Sequence, residues 1–514
     1  MRFSALDQAR IHLFSVKDRY FVLDVNSCVF FETDEITNQV LGLLGTVRSK
    51  SDLVQRLAQR YPRTMVRQRL SEILPLIDNE QLFSDDPSST FDRRPVPHPS
   101  SLCLHISHKC NLRCRYCFAE GNNTQDKLMP REVAERAVDF LIKNSRQRDL
   151  SISFFGGEPL INLPVLKHTV SYAKRIEQAH GKFFRFHITT NGTLLTEGIL
   201  RYLQENQLSM IVSLDGPKAV NDGMRQFRDG RGSYDVVHKN LMKVLAVCPN
   251  RPLTVRSTFT RQNMDVDNLA MHLFQIGCKD ISVEPCVTEI RDLRITKDDL
   301  RTLKEHYDLL ADRYLAQLAA GMKLSFFHLR TAMEQARRKV FRLTQCGAAN
   351  GYIAVGADGR FYPCHRFVGN EAYVLGDVFS GIKRPDIQRA FNSAFVRNKK
   401  KCMKCWARYL CGGGCHAHAI NFNNDILEPY DIECELIKHR VELGAYLYAT
   451  LSESVGYTPD SCAHHLPLST QHRHLPTAET CTEVAKEDGR SEIERLQRTS
   501  AAADDYMRST LNPS

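Results

Sequence analysis

The rhythm of hydrophobic and polar positions changes twice along the chain. Near the start, "RYFVLDV" passes through Asn26-Ser27 into "CVFFET", two β-rich runs that predict a hairpin. Three helical patterns follow. Asp34 is placed to cap "EITNQVLGLLG" and Ser51 to cap "DLVQRLAQRY", and "TMVRQRLSEIL" is the third. A hairpin with three short helices predicts a small winged-helix domain over residues 1–90. Residues 91–101 close the Pro/Ser-rich stretch "SDDPSSTFDRRPVPHPSS" and read as a linker.

From residue 102 short β-rich runs alternate with amphipathic helical ones. Six strands are predicted: 102–108, 151–155, 184–190, 209–214, 253–259 and 280–285. The helix "PREVAERAVDFLIKN" starts with Pro130 at a favoured first position. Strand–helix alternation implies an α/β fold with parallel strands. Six units predict a partial (β/α)6 TIM-like barrel over 102–340 rather than a closed eight-stranded one. Residues 341–450 are rich in cysteine, glycine and turns with little periodicity, so metal is expected to help them fold. Residues 451–514 form a polar tail, expected to be largely disordered, with a short helix near "SEIERLQR". Its His464, His465, His472 and His474 read as solvated rather than metal-binding.

Of the 514 residues, 42% are hydrophobic, enough for a sizeable core, and the formal charge of +10 is weak evidence for a nucleic-acid partner on so long a chain. No run of eighteen apolar residues predicts a spanning helix, and "MRFSALDQARIHLF" lacks an apolar signal core, so a cytoplasmic protein without membrane contact is expected. Cysteine changes the picture most. The count is 17, an odd number, and ten of these cluster: Cys110, Cys114 and Cys117, then seven between Cys346 and Cys434. Clustered thiols in a reducing compartment favour metal binding over disulfides. Cys28, Cys103, Cys248, Cys278, Cys286, Cys462 and Cys481 are scattered and read as small buried hydrophobes or exposed thiols.

Each of the first four strands leads into an unusual loop. The first carries "HKCNLRCRYCFAEG", the second "FFGGEPL", the third "TTNGTLL" and the fourth "SLDGP". The C-terminal strand ends are the active face of barrel enzymes, so the four loops predict one site. C-x3-C-x2-C offers three thiolates without a second pair. Zinc sites prefer four ligands, whereas a cubane iron–sulfur cluster held by three thiolates keeps one iron open for an exogenous group.

These residues, C-x3-C-x2-C after the first strand and a GGEP-type loop after the second, resemble the radical S-adenosylmethionine (SAM) enzymes. The resemblance implies that SAM chelates the open iron and is cleaved to a 5′-deoxyadenosyl radical that abstracts hydrogen. It implies SAM contacts from Gly156, Gly157 and Glu158 to the amine, from Asn191 and Ser213 to the ribose or carboxylate, from Arg225 to the carboxylate, and from the backbone around Tyr116 to the adenine. The downstream array, Cys346, Cys364, Cys402, Cys405, Cys411, Cys415 and Cys434, resembles the SPASM extension of that superfamily at every cysteine. This implies two auxiliary [4Fe–4S] clusters, three in all. Cys402, Cys405, Cys411 and Cys434 would hold one completely, and Cys346, Cys364 and Cys415 the other incompletely. From the residues alone, zinc ribbons at Cys402/Cys405 and Cys411/Cys415 remain the alternative.

A winged-helix domain before such an enzyme resembles the leader-recognition element of peptide maturases, in which a peptide adds as a strand to a sheet edge. Arg60, Arg63, Arg67 and Arg69 keep a DNA-binding winged helix as the alternative. Sulfatase maturases carry an acidic residue directly after the G-x4-C cysteine, and a further cysteine soon after the first SPASM cysteine. Here His365 and Tyr352 stand at those positions. "VLDVNSCVFFETDE" and "CGAANGYIAVGADGRFYPCHRFVGN" are similar to thioether-forming maturases of six-cysteine peptides and of the quinohemoprotein amine dehydrogenase small subunit. The expectation is therefore an oxidoreductase that forms thioether cross-links in a ribosomal peptide or small subunit, supplied with electrons by a flavodoxin or ferredoxin. Formylglycine formation, other peptide cross-links, and an iron–sulfur redox sensor or electron carrier remain alternatives.

Overall fold

The computed structural model describes residues 6–87, 98–119, 127–247 and 253–454, together with the backbone of a two-residue strand at 464–465. The remaining tail, and with it Cys248, Cys462, Cys481, His472, His474 and the expected helix near 491–498, lies outside the described residues.

The N-terminal unit holds β1 (Ile11–Val16), β2 (Arg19–Asp24) and β3 (Val29–Thr33) in one antiparallel sheet, followed by α1 (Glu35–Leu43), α2 (Lys50–Leu57) and α3 (Arg63–Asp78). The hairpin forms where expected, and β1 adds a strand that the hydrophobic pattern did not single out. Asp34 caps α1 by accepting from Thr37 N. Ser49, not Ser51, caps α2, because its side chain reaches Asp52 N and leaves Ser51 inside the first turn. The sheet is buried on both faces. Ile11, Val22, Val29 and Phe31 pack on the three helices, and Phe14, Phe21, Leu23, Cys28 and Phe30 join the core of the rest of the chain. The single tryptophan, Trp406, stacks on His12 with ring centroids 3.8 Å apart. His12 Nε2 lies 2.8 Å from Glu442, and Tyr409 donates to Asp86 at 2.6 Å. The N-terminal unit is thus seated on the cysteine-rich region. His464–His465 pair in parallel with Phe31 and Glu32 on the free edge of β3.

All six predicted barrel strands form: β4 (Ser101–Ser107), β6 (Asp149–Gly156), β7 (Phe183–Thr190), β8 (Ser209–Ser213), β10 (Leu253–Phe259) and β11 (Asp280–Pro285). Two short strands, β5 (Leu112–Cys114) and β9 (Arg225–Phe227), lie in the loops and pair with each other. The strand order is β11-β10-β8-β7-β6-β4, every pair parallel. Between them run α4 (Arg131–Asn144), α5 (Leu163–Ile176), α6 (Glu197–Glu205), α7 (Lys218–Met224), α8 (Tyr234–Val247) and α9 (Val266–Gln275), then α10 (Leu300–Ala319) and α11 (Phe327–Arg338). The period-2 pattern sorts the faces. Leu102, Leu104, Ile152, Phe154, Phe186, Ile188, Met210, Val212, Val255 and Val283 enter the apolar core with the helices. Their alternates, including His105, Ser151, Ser153, His187, Ser213, Arg256, Ser282 and Glu284, face the other way and make a polar lumen.

The sheet does not stop where the cysteine-rich region begins. β12 (Ser325–Phe326) extends it beside β11. On the other edge β13 (Tyr352–Val355) pairs in parallel with β4, and β14 (Arg360–Tyr362), β15 (Gly376–Asp377) and β16 (Gly381–Ile382) continue antiparallel. Eleven strands therefore run across the expected boundary at 340/341. A second difference is the long helix Asp431–Ser454, within a region whose sequence showed little periodicity. It packs against both the N-terminal sheet and α10 and α11, so apolar residues occupy most of its circumference and no single stripe stands out. Its Gly444 lets α11 approach closely: a Cβ there would lie 2.4 Å from Ala332 Cβ. Among the described residues no helix is long and apolar enough to cross a membrane.

Candidate active site

The four loops meet at the C-terminal strand ends. In the first, Cys114 of β5 is paired in register with Arg225 of β9, which fastens the cysteine loop to the loop after β8. Leu112 N donates to Cys110 Sγ at 3.4 Å. Burial pushes the Cys114 thiol up to about 12 and raises Cys110 as well, and each of the two feels the charge of the other or of Cys117. Arg225 opposes the rise at both.

The second loop passes so close to the first that only glycine fits. A Cβ on Gly156 (φ 127°) would lie 2.1 Å from the Ser107 carbonyl oxygen, and one on Gly157 would lie 2.4 Å from that of Lys109. Glu158 is fully buried. It accepts from Leu160 N at 3.0 Å, Thr190 Oγ1 at 2.8 Å and Asn191 N at 2.7 Å. Burial still holds its carboxyl up at about 6. Both oxygens are engaged by the protein, so this side chain fastens the second loop to the third. Asn191 continues the chain, donating to Asn111 Oδ1 at 2.9 Å and approaching Cys110 Sγ at 3.8 Å.

In the fourth loop Asp215 accepts from Tyr116 of the cysteine loop at 2.5 Å, and the same hydroxyl accepts from Arg225 Nη1 at 2.9 Å. Arg225 is 7% exposed, and its Nε is buried without a hydrogen-bond partner. Ser213 pairs with Arg256 in the ladder between β8 and β10, and its hydroxyl makes no hydrogen bond among the described residues. Asp215 is a site residue the sequence reading quoted in "SLDGP" but gave no role.

The other seven clustered cysteines influence one another in two groups. Cys346, Cys364 and Cys415 act on one another's charge. Burial drives Cys346 to about 12 and Cys364 higher. Cys415 is the exception: burial works against its thiolate, but His418 beside it prevails and holds the thiol below its ordinary value. His418 Nδ1 lies 3.0 Å from Glu433. Burial opposes its protonation, yet Cys415 and Glu433 together lift it to about 9. Cys402, Cys405, Cys411 and Cys434 form the second set. Burial raises Cys402 to about 11 and Cys411 and Cys434 to about 12, with each thiol feeling others of the set. Gly412, Gly413 and Gly414 all take positive φ (76°, 92° and 73°), which turns the chain between Cys411 and Cys415 toward both sets. Lys399, fully buried, donates to Gly413 O at 2.6 Å beneath them. His418, Glu433 and Lys399 carried no motif and could not be found from spacing. Beside Cys364, His365 Nδ1 lies 3.0 Å from the Tyr352 hydroxyl, which also reaches the buried Cys103 thiol. The scattered Cys28, Cys103, Cys278 and Cys286 are buried, as expected of small hydrophobes.

Residues 104–273 match the family model of the Radical SAM superfamily. The chain carries a radical SAM domain. It is 24% identical over 376 residues to the cysteine-type anaerobic sulfatase-maturating enzyme of Clostridium novyi (strain NT), covering 70% of this chain and 98% of that one. It is 27% identical over 338 residues to the radical SAM cyclopropyl synthase TigE of Paramaledivibacter caminithermalis, covering 61% and 67%. With the antilisterial bacteriocin subtilosin biosynthesis protein AlbA of Bacillus subtilis (strain 168) it shares 22% over 368 residues, covering 68% and 76%. The solved structure of native anSMEcpe with bound AdoMet superposes with a TM-score of 0.59 at 20% identity, covering 70% of this chain and all of that one, a likeness of fold.

The residues of the radical SAM domain fit the cofactors its family implies. Three mutually interacting thiols share one short loop, a double-glycine cradle closes over them, and Arg225 leaves a buried donor unpaired, suited to a carboxylate. Among the described residues no three His, Cys, Asp or Glu converge as a site for a single metal ion.

Proposed function

We propose that this protein is a radical SAM peptide maturase that joins a cysteine sulfur to a side-chain or α carbon within one ribosomal peptide or small protein subunit. The observation that carries the choice of product is the Tyr352–His365 pair beside Cys364. At the two positions where a sulfatase maturase has a further cysteine and an acidic proton acceptor, this chain has an aromatic hydroxyl and an imidazole bonded to each other. Neither supplies a fourth thiolate. The set of Cys346, Cys364 and Cys415 is left with a place that a substrate sulfur can take.

Closing each thioether removes one hydrogen atom from carbon, and a proton and an electron from the thiol. When bound, the clusters and SAM supply the hydrogen abstraction and take up that electron. The chain's own residues do the placing. Arg225 offers its unpaired Nε to a carboxylate, and Ser213 its hydroxyl to a ribose or carboxylate. Glu158 and Asn191 hold the cysteine loop in register with the next two loops. The N-terminal sheet captures the leader segment of the substrate on the β3 edge. That edge is competent for it, since His464–His465 already pair there.

The test uses anaerobically reconstituted, reduced protein. It should cleave SAM to 5′-deoxyadenosine, and replacing Cys110, Cys114 and Cys117 together by Ala should abolish cleavage while leaving about two clusters' worth of iron. Full cleavage by the triple variant contradicts the site. A substrate peptide should lose two hydrogens and one free thiol per cross-link and keep all its sulfur. A product that has lost sulfur would favour formylglycine formation, and catalytic SAM turnover without a modified peptide would leave a peptide maturase unsupported.

A further inference from the structure

The stretch "RNKKKCMKC" sets four lysines around Cys402 and Cys405. Lys400, Lys401 and Lys404 are exposed, and Lys401 pairs with Asp431 at the surface. Lys399 alone turns inward and is fully buried. Its Nζ donates to Gly413 O at 2.6 Å and makes no direct ion pair among the described residues. An ammonium out of water is costly unless negative charge lies close.

The place of that ammonium links two groups of thiols. Gly413 lies in the turn between Cys411 and Cys415, at φ 92°. Its N–H donates to Cys411 Sγ, and its carbonyl takes the Lys399 ammonium. A Cβ on Gly413 would lie 3.2 Å from Lys399 Cδ and 3.4 Å from Nζ, so the lysine runs flat along the turn. Burial works against the Lys399 charge, while Cys402, Cys411, Glu433 and Cys415 favour it. Burial likewise raises the thiols of Cys402 and Cys346, and Lys399 opposes the rise at both. Members of both groups therefore feel the same cation. Glu433, the one carboxylate acting on it, is shared with other donors. It lies 3.0 Å from His418 Nδ1 and accepts from Gln345 Nε2 at 3.1 Å and Cys415 N at 3.3 Å. Thiols gathered in two groups, backbone donors at a sulfur and a buried cation between the groups fit anionic iron–sulfur clusters.

We propose that Lys399 is the common counter-cation of two iron–sulfur clusters, one held by Cys346, Cys364 and Cys415 and one by Cys402, Cys405, Cys411 and Cys434, and that it raises the reduction potential of both. This rests on the reading of the downstream cysteines as cluster ligands. Reduction adds one electron to a cluster, and a cation beside it in a region shielded from water stabilises the added charge. One cation serving both groups moves both potentials in the same direction. Lys399 touches no reacting atom and acts through the clusters, as a positioning residue.

Full-length wild type, Lys399→Met and Lys399→Arg are reconstituted anaerobically and analysed for iron. Each is then titrated with dithionite while the reduced clusters are followed by electron paramagnetic resonance. The signal that changes on adding SAM is the internal control. In Lys399→Met the two signals that ignore SAM should each move to lower potential by at least about tenfold in the reduction equilibrium, about 59 mV for one electron. The SAM-responsive signal should stay within about threefold of wild type. Lys399→Arg keeps the charge and a donor for Gly413 O, so all its signals should stay within about threefold. Equal potentials in wild type and Lys399→Met, movement of only one of the two signals, or equal movement in the Met and Arg variants overturns the proposal. Where Lys399→Met loses iron, the Arg variant decides. Full iron there supports a required charge, and iron loss in both variants assigns the side chain to shaping the turn and overturns the proposal. Wild type with iron for a single cluster overturns the proposal together with the reading of the downstream cysteines, whereas unmoved potentials in a wild type that carries both overturn the proposal alone.

Discussion

Gly157→Ala adds one methyl group at the tightest useful place in the molecule. The new Cβ would meet the Lys109 carbonyl oxygen at 2.4 Å, its carbon at 2.7 Å and the His108 oxygen at 2.8 Å. All three are backbone atoms of the segment leading into Cys110, so none can swing aside. The two loops must part by about 1 Å, which as overpacking costs about 1–3 kcal/mol. Parting also stretches two bonds between the loops, Gly157 N to Ser107 O at 2.7 Å and Glu158 N to Lys109 O at 2.8 Å. Each is worth about 1 kcal/mol, giving a loss of about 3–5 kcal/mol in all. The consequence for chemistry is larger than for stability, because a ~1 Å misplacement of a reacting centre can cost ~100-fold in rate. The assay compares 5′-deoxyadenosine formation, bound iron and thermal unfolding of anaerobic wild-type and variant protein. The control is Gly198→Ala in α6, where a Cβ meets nothing within 4 Å. It should be neutral or up to about 1 kcal/mol stabilising. Wild-type SAM cleavage and unfolding temperature in Gly157→Ala would refute the close approach and the loop clamp drawn from it.

Removing residues 1–90 should abolish modification of full-length substrate while uncoupled SAM cleavage survives, and should shift the emission of Trp406 to the red as its His12 stacking partner leaves. Unchanged modification or emission counts against the docked leader-binding unit. Gly444→Ala should lower the unfolding temperature by several degrees, since the helices must separate against Ala332 at a cost of about 1–3 kcal/mol; an unchanged temperature contradicts that contact. Burial holds His187 down at about 4. Its folded value lies below the ordinary one, so the stability it gives is present above pH 6.5 and is lost as pH falls toward 4, by about 3 kcal/mol at most. An acid limb equally steep in His187→Gln would oppose this. Native peptide should change the spectrum of the auxiliary cluster held by Cys346, Cys364 and Cys415, and a peptide with its cross-linking Cys changed to Ser should do so much less. Identical spectra with and without saturating peptide would favour a cluster that only passes electrons.

The sequence by itself determined the parts of this protein that depend on local spacing. Short β-rich runs alternating with amphipathic helical ones placed all six barrel strands, because each element's local composition and period are legible without its neighbours. The ten clustered cysteines were found from spacing, and their division into cluster-binding sets came from the resemblance. What needed the tertiary structure were features set by distant partners. Ser49 rather than Ser51 caps α2 because of where the chain enters the helix. That the sheet runs on past 340/341 needed the structure, because β13 pairs with β4 across some 250 residues of sequence. The helix Asp431–Ser454 hid its period because two neighbours bury different sides of it. Glu158 stood in a recognisable motif, yet its three partners turn it inward to hold loops together.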